Sequence, residues 1–105
     1  MATQTLGGQT VEVDDEGFLS DPAQWNREIG AEIAAENGIA EMTDRHWQVV
    51  EYMRDQYLSE GTAPSIRTLG KASGVPVKEL YQLFPKGPAK MAAKIAGIPK
   101  PRGCI

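Results

Sequence analysis

Apolar positions recur along this chain with two different periods. In Thr10-Val11-Glu12-Val13 polar and apolar residues alternate, and Gly7-Gly8 stands between this run and Thr3 to Leu6. Alternation places successive side chains on opposite faces of a strand, and paired glycines supply the positive φ of a tight turn. Thr3 to Val13 therefore predicts a small β-hairpin, with Asp15-Glu16-Gly17 as a further turn. Beyond it the period lengthens. Asp21-Pro22 reads as N-cap and first helical residue, Trp25, Ile29 and Ile33 recur every four residues, and Asn37-Gly38 ends the pattern. One helix fits, and so does a short turn followed by a longer helix, because Gly30 interrupts the run.

Thr43 opens the next helix as N-cap, with Asp44 near its positive end. Trp47, Val50, Met53 or Arg54, and Tyr57 follow at helical spacing, and Gly61 closes it. Ile66 to Ala72 predicts a short helix with Ile66 and Leu69 inward. A helix opened by Pro76 carries Val77, Leu80 and Tyr81 or Phe84 as its apolar residues. The last helix begins at Pro88, has Met91 and Ile95 on one face and is capped by Gly97. Pro99 and Pro101 prevent its continuation. The expected fold is mostly α: an orthogonal helical bundle with a small N-terminal β-hairpin, a helix-turn-helix-like portion and a mobile C-terminal arm. A single domain over residues 1–96 and an arm over 97–105 are the expected divisions.

Composition changes this picture little. The 105 residues are 41% hydrophobic and 24% charged, as in an ordinary globular domain. No apolar run is long enough to span a bilayer, and the first residues carry no signal-peptide pattern, so a cytoplasmic protein without membrane insertion is expected. Charge says more. Residues 1–65 hold thirteen acids against three bases (Arg27, Arg45, Arg54), a balance of −10; residues 66–105 hold eight bases against one acid, Glu79, a balance of +7, and together these give the chain's −3. The basic part either meets an anionic partner or neutralises the acidic part within the fold. Lys86, Lys90 and Lys94 recur every four residues and form a candidate docking stripe; the alternative is a solvated face.

The single cysteine, Cys104, lies in "IPKPRGCI". One thiol cannot close an internal disulfide and fits a reducing compartment. The nine residues from Gly97 to Ile105 span at most about 30 Å, and their prolines bias them toward extended, semi-stiff backbone. Such an arm could thrust the thiol into a partner's active site. Lys100 and Arg102 favour the reactive thiolate and the Ile105 carboxylate opposes it. The alternative is an inert surface cysteine.

"YQLFPKGPAKMAAKIAGIPKPRGCI" closely resembles the C-terminal part of the DsrC/TusE family, which includes the gamma subunit of dissimilatory sulfite reductase and TusE sulfur-relay proteins. "DDEGFLSDPAQWN" and "MTDRHWQVVEYMRDQYLSEGTAPSIRTLGKA" extend the resemblance over nearly the whole chain. It implies a sulfur carrier that holds a persulfide on Cys104. The implied partners are sulfur-donating relay proteins and a sulfur-accepting enzyme, either a tRNA thiolase or a sulfite-reductase-like protein, with possible indirect contact with tRNA. Cys104 is the implied catalytic residue, and Lys86, Lys90, Lys94, Lys100 and Arg102 are candidates for partner docking. No cofactor and no metal is implied. DsrC proper has a second cysteine where this chain has Ala93, so an intrachain disulfide or trisulfide is not expected. An insertion that relatives carry before "LYQLFP" is also absent, only "SGVPVKE" joining the flanking segments. Both departures favour the single-cysteine, TusE-like form, with tRNA 2-thiouridine as the expected end product; a DsrC-like role in sulfite reduction or sulfur oxidation is the alternative.

Two other features compete. "IRTLGKASGVPVKELYQLF" has helix-turn-helix spacing, which would suit DNA binding. Its second helix, however, offers only Lys78 as a base, with Glu79 facing phosphate unfavourably and Gln82 alone able to read bases. His46 has no second histidine or nearby cysteine, so a structural role on the helix surface or partly buried is expected rather than metal binding. Trp25, Trp47, Tyr52, Tyr57, Tyr81 and Phe84 are expected in the core.

Overall fold

The computed structural model describes residues 2–99. Its elements are β1 (Ala2–Leu6), β2 (Gln9–Val13), a single 3-10 turn (Pro22–Gln24), α1 (Arg27–Glu36), α2 (Asp44–Glu60), α3 (Ile66–Ala72), α4 (Val77–Leu83) and α5 (Pro88–Ile95). The chain is mostly helical with one small antiparallel sheet, as the sequence predicts.

The hairpin pairs Leu6 with Gln9 and Gln4 with Val11, and Gly7 and Gly8 both take positive φ, +56° and +79°. This is the conformation that favours glycine at both central turn positions. Leu6, Val11 and Val13 bury their side chains while their strand neighbours face outward. α1 holds the hairpin down: the Glu32 carboxylate accepts from Gly7 N–H, and Gln4 Nε2 donates to Glu36 at 2.9 Å. The Asp14 side chain accepts from Glu16 N–H and Phe18 N–H (2.9 and 3.0 Å), bending the chain so that Phe18 and Leu19 enter the core.

Between Asp21 and Asn37 the two-part reading is the one realised. Asp21 caps the 3-10 turn, and Asn26 starts α1 by accepting from Ile29 N–H at 2.9 Å. Trp25 lies between them, so it does not share the helix face of Ile29 and Ile33. Thr43 caps α2 as expected, and the residue that completes its capping box is His46. The carbonyl of Leu83 can only accept, so His46 Nε2 (3.1 Å away) carries the proton and Nδ1 accepts from Thr43 N–H at 3.1 Å. His46 is therefore buried, with its ring edge-on to Phe84 at 5.2 Å between centroids, and it ties the start of α2 to the end of α4.

α5 is the central helix and packs against α1, α2, α3 and α4. Ala89, Ala92, Ala93 and Ala96 bring neighbouring backbones close, while Met91 and Ile95 fill the space between them. On α4, Leu80 and the following Phe84 are fully buried, but Val77 and Tyr81 are 38% and 55% exposed. The expectation that Tyr81 lies in the core is thus corrected: the seven-residue α4 turns only its Leu80 side inward. Trp25, Trp47, Tyr52 and Tyr57 are half-buried against the core.

α3 and α4 cross at Gly70. A Cβ there would stand 2.4 Å from Val77 Cγ2 and 3.2 Å from Val77 N. Glycine to alanine within a helix ordinarily gains about 0.8–1 kcal/mol, but overpacking against a stiff β-branched side chain and backbone costs about 1–3 kcal/mol. Gly70→Ala is expected to be net destabilising, lowering the urea midpoint with an unchanged m-value. A second expectation concerns pH. Arg45 makes a two-point ion pair with Glu79, at 2.7 and 2.8 Å, and this hydrogen bonding holds the Glu79 carboxyl below the usual carboxylate range. A depressed carboxylate stabilises the fold above its unfolded pKa and loses that contribution as pH falls through the folded value. The pair is partly solvent-exposed, so Glu79→Gln should show a small deficit in denaturation midpoint at neutral pH that closes on acidification.

Candidate functional site

The last carbonyls of a helix have no partner within it. At the end of α5 they are satisfied in two ways. Gly97, with φ +71°, donates to Lys94 O at 3.2 Å, and Ile98 N–H donates to Ala93 O at 3.2 Å. These two bonds form a Schellman turn, with the glycine at its left-handed position. Side chains from elsewhere cover the next carbonyls. Trp25 Nε1–H donates to Ile95 O at 2.7 Å, and Arg54 Nη1 donates to Ala96 O at 3.0 Å. Arg54 Nη2 also donates to Pro22 O at 2.8 Å, and its guanidinium lies 4.5 Å from the centre of the Trp25 ring.

Two glycines make room for this arrangement. A Cβ on Gly97 would stand 2.4 Å from Trp25 Cδ1, and one on Gly30 would stand 3.0 Å from Ile95 O and 3.1 Å from Trp25 Nε1. Burial lowers the pKa of Arg54, the nearby Asp55 opposing the shift. A guanidinium stays charged regardless, and the two carbonyls and the indole face offset its desolvation. Ile98 is fully buried and Pro99 is exposed. Gly97 and Ile98, which the sequence places at the root of the arm, are therefore packed against the body. Trp25 and Arg54 were not singled out as a site from sequence, because the bonds they make join residues 32 to 70 positions apart.

Cys104, Lys100 and Arg102 lie outside the described residues. The three candidate lysines are placed differently from one another. Lys86 precedes α5 and is exposed, beside a cavity of about 80 Å³ lined by Asn37, Ile39, Phe84 and Met91. Lys90 and Lys94 are half-buried: Lys90 pairs with Glu16 at 3.4 Å, while Lys94 donates to Asn37 Oδ1 at 3.4 Å and sits 5.9 Å over the Phe18 ring. Two of the three thus hold α5 to the turn that follows β2 and to the end of α1. Ala93, the position of a second cysteine in DsrC proper, is fully enclosed. The helix-turn-helix-like pair is present in α3 and α4, but Glu79 is occupied by Arg45. Among the described residues no cluster of metal-ligating side chains occurs, and no helix is long and apolar enough to cross a membrane.

Residues 5–105 match the family model described as DsrC like protein. This chain belongs to the DsrC-like family. It is 47% identical to a protein named sulfurtransferase TusE from Escherichia coli, covering 93% of this chain and 95% of that one. It is 40% identical to the dissimilatory-type sulfite reductase gamma subunit of Nitratidesulfovibrio vulgaris, over the full length of both. Among solved structures, the oxidized gamma subunit DsrC from Archaeoglobus fulgidus superposes with a TM-score of 0.83 at 33% identity, covering 99% of this chain and 100% of that one. A structure described as dissimilatory sulfite reductase I (DsrI) gives 0.87 at 39%, with the same coverage.

These matches correct one inference from the sequence. The gamma-subunit match runs end to end over 105 residues, so that relative has no insertion beyond this chain. The TusE alignment is also 105 positions long but takes in only 93% of this chain, so some of its positions are residues that the TusE has and this chain lacks. The lack of an insertion therefore does not separate this chain from the gamma subunit.

The placements separate the lysines experimentally. Lys94→Glu should lower stability by about 1 kcal/mol, through loss of a hydrogen bond and a cation–π contact. Lys86→Glu should stay within about 0.5 kcal/mol of wild type, as exposed substitutions usually do. Parallel urea titrations of the two variants check this.

Proposed function

We propose that this chain is a sulfur carrier: Cys104 accepts a sulfane sulfur as a persulfide and relays it between partner proteins, as a single-thiol, TusE-like member of its family. The observation that carries the reading is that a chain 47% identical to a sulfurtransferase TusE has one cysteine in all, located within the residues that match the family model. With no second thiol, Cys104 has no intrachain partner for a disulfide.

The chemistry requires only an accessible thiolate. The Cys104 thiolate attacks the outer sulfur of a donor persulfide, R–S–SH. A new S–S bond forms at Cys104, the donor's S–S bond breaks, R–S⁻ leaves, and the proton stays on the transferred sulfur. The step exchanges one disulfide-like bond for another and needs no outside oxidant or reductant. Delivery repeats it, with the acceptor thiolate attacking the outer sulfur and the Cys104 thiolate leaving. Lys100 and Arg102 stand two to four residues from Cys104 and favour the thiolate at both stages. Lys86 offers an exposed charge for an anionic partner near the start of α5. The proposed donors are relay proteins of the cytoplasm, and the proposed acceptor is a tRNA-thiolating enzyme that makes 2-thiouridine.

The end-to-end match to the gamma subunit supports a second reading, delivery to a sulfite-reductase-like enzyme in dissimilatory sulfur metabolism. Both readings share the Cys104 persulfide and differ in the acceptor.

Intact-mass measurement after incubation with glutathione persulfide should show a gain of one sulfur atom, removed by a reducing thiol and absent from Cys104→Ser. A gain that persists in Cys104→Ser would contradict the assignment. Producing the chain in cells lacking their own carrier of this family decides between acceptors: restored tRNA 2-thiouridine supports the first reading, and its absence alongside physical association with a sulfite-reductase-like enzyme supports the second.

A further inference from the structure

Three large apolar side chains are exposed among the described residues, Leu58, Val77 and Tyr81, and two of them stand one turn apart on α4. Leu80 turns into the core, while Val77 and Tyr81 share the flank of α4 that meets α3, where Val77 packs on Gly70. On α3 the buried residue is Leu69, and Arg67 and Lys71 lie one turn apart on the opposite, outward side. Lys78 is exposed on the outward side of α4. The crossing helices therefore present an apolar centre, Val77 and Tyr81, edged by three cations. None of the three forms an ion pair among the described residues. Glu79, the one acid of α4, lies on the other flank and is held there by Arg45 at 2.7 and 2.8 Å, so the face stays uniformly basic.

An aromatic and apolar middle with a charged edge is the anatomy of a protein-docking surface. Charge decides among its occupants. A long polyanion such as RNA would meet only three cations here, on a chain whose net charge is −3. A two-fold contact with a second copy would set one basic rim against the other. An acidic protein surface meets neither objection, because its contact is confined to the patch. We propose that the α3–α4 face docks the protein that receives sulfur from Cys104, through an acidic surface with an apolar recess for Tyr81. The inference rests on the carrier role of Cys104 and names the part of the body that selects its acceptor. Loading requires only an accessible thiolate, whereas delivery has to reach one acceptor among many thiols, so the selective contact belongs to delivery. The cations raise the rate of encounter and Tyr81 supplies the anchor that holds the complex together.

The test follows labelled sulfur. Full-length protein is loaded from glutathione persulfide, freed of donor and offered to two probes. One is the tRNA-thiolating enzyme of Escherichia coli with its tRNA, and the other is the dissimilatory sulfite reductase of Nitratidesulfovibrio vulgaris, the organisms of the two relatives compared above. With the probe that the wild type supplies, Tyr81→Ala should slow transfer about tenfold at every salt concentration. Lys71→Glu and Lys78→Glu should slow it about tenfold at low salt, and the deficit should shrink as salt rises. Leu58→Ala removes an equally exposed apolar side chain from α2 and should match the wild type. Release of the label to a small thiol should stay within about twofold of wild type in all four variants, since a small acceptor diffuses to the sulfur without docking. That readout separates docking from damage to the fold. Wild-type transfer by Tyr81→Ala and Lys78→Glu would overturn the dock, as would a wild type that loads yet supplies neither probe. Binding to bulk tRNA that disappears in Lys71→Glu and Lys78→Glu would overturn it by giving the face to RNA. A dimer that Tyr81→Ala dissociates would overturn it by giving the face to a second copy. Failure of the wild type to load from glutathione persulfide would overturn the carrier reading and the dock with it.

Discussion

The structure depends on how α5 is held at its C-terminal end. A short helix buried on most sides cannot leave its final carbonyls to solvent, and a buried unpaired carbonyl costs about 1–3 kcal/mol. Those carbonyls are therefore met by Gly97 and Ile98 N–H, by the Trp25 indole and by the Arg54 guanidinium. The partners come from three separate parts of the chain: the turn that returns from the hairpin, the middle of α2 and the root of the tail. Satisfying one helix end thus fastens the N-terminal third, the longest helix and residues Gly97 and Ile98 to a single point. The alanines of α5 make this possible, since larger side chains would hold Trp25 and α2 away from its axis.

The division of charge is answered within the same packing. The Arg27–Glu51 ion pair joins α1 to α2 and the Arg45–Glu79 pair joins α2 to α4, and Lys90 with Glu16 joins the basic C-terminal part to the acidic N-terminal part. Neutralisation is partial. Lys71 and Lys78 stay exposed with Lys86 on the basic half, and none of the three forms an ion pair among the described residues. A carrier that must meet a donor and then an acceptor gains from contacts that are electrostatic and readily dissociated, because such charges raise the rate of encounter more than the lifetime of the complex.

Local chemistry was legible in the sequence where neighbours decide the outcome. Gly7-Gly8 announced the hairpin, Thr43 and Gly61 bracketed α2, and Pro88 with Gly97 bracketed α5, since each of these residues acts on its own backbone. Contacts between distant residues were not legible. Trp25 looked like a helix-face residue because it stands four before Ile29, yet Asn26 starts the helix and frees Trp25 to reach Ile95. Tyr81 shared the apolar spacing of a core residue and is exposed, because a helix as short as α4 has room for only one inward position before Phe84. The lysine spacing suggested a uniform stripe, but the end of α1 and the turn after β2 engage Lys94 and Lys90 and leave Lys86 outside. The family was readable because its motifs are contiguous; the fastening of the end of α5 was not, because it is assembled from three separate segments.

The central claim is that sulfur rests on Cys104 and moves on. It is tested most directly by loading the full-length protein with an isotopically labelled outer sulfur, removing excess donor and adding a fresh thiol acceptor. The account predicts that the label is found on the peptide containing Cys104, passes to the acceptor, and leaves the protein at its original mass and ready to be loaded again. Label found on no cysteine peptide, or label that stays with the chain when the acceptor is present, would contradict it.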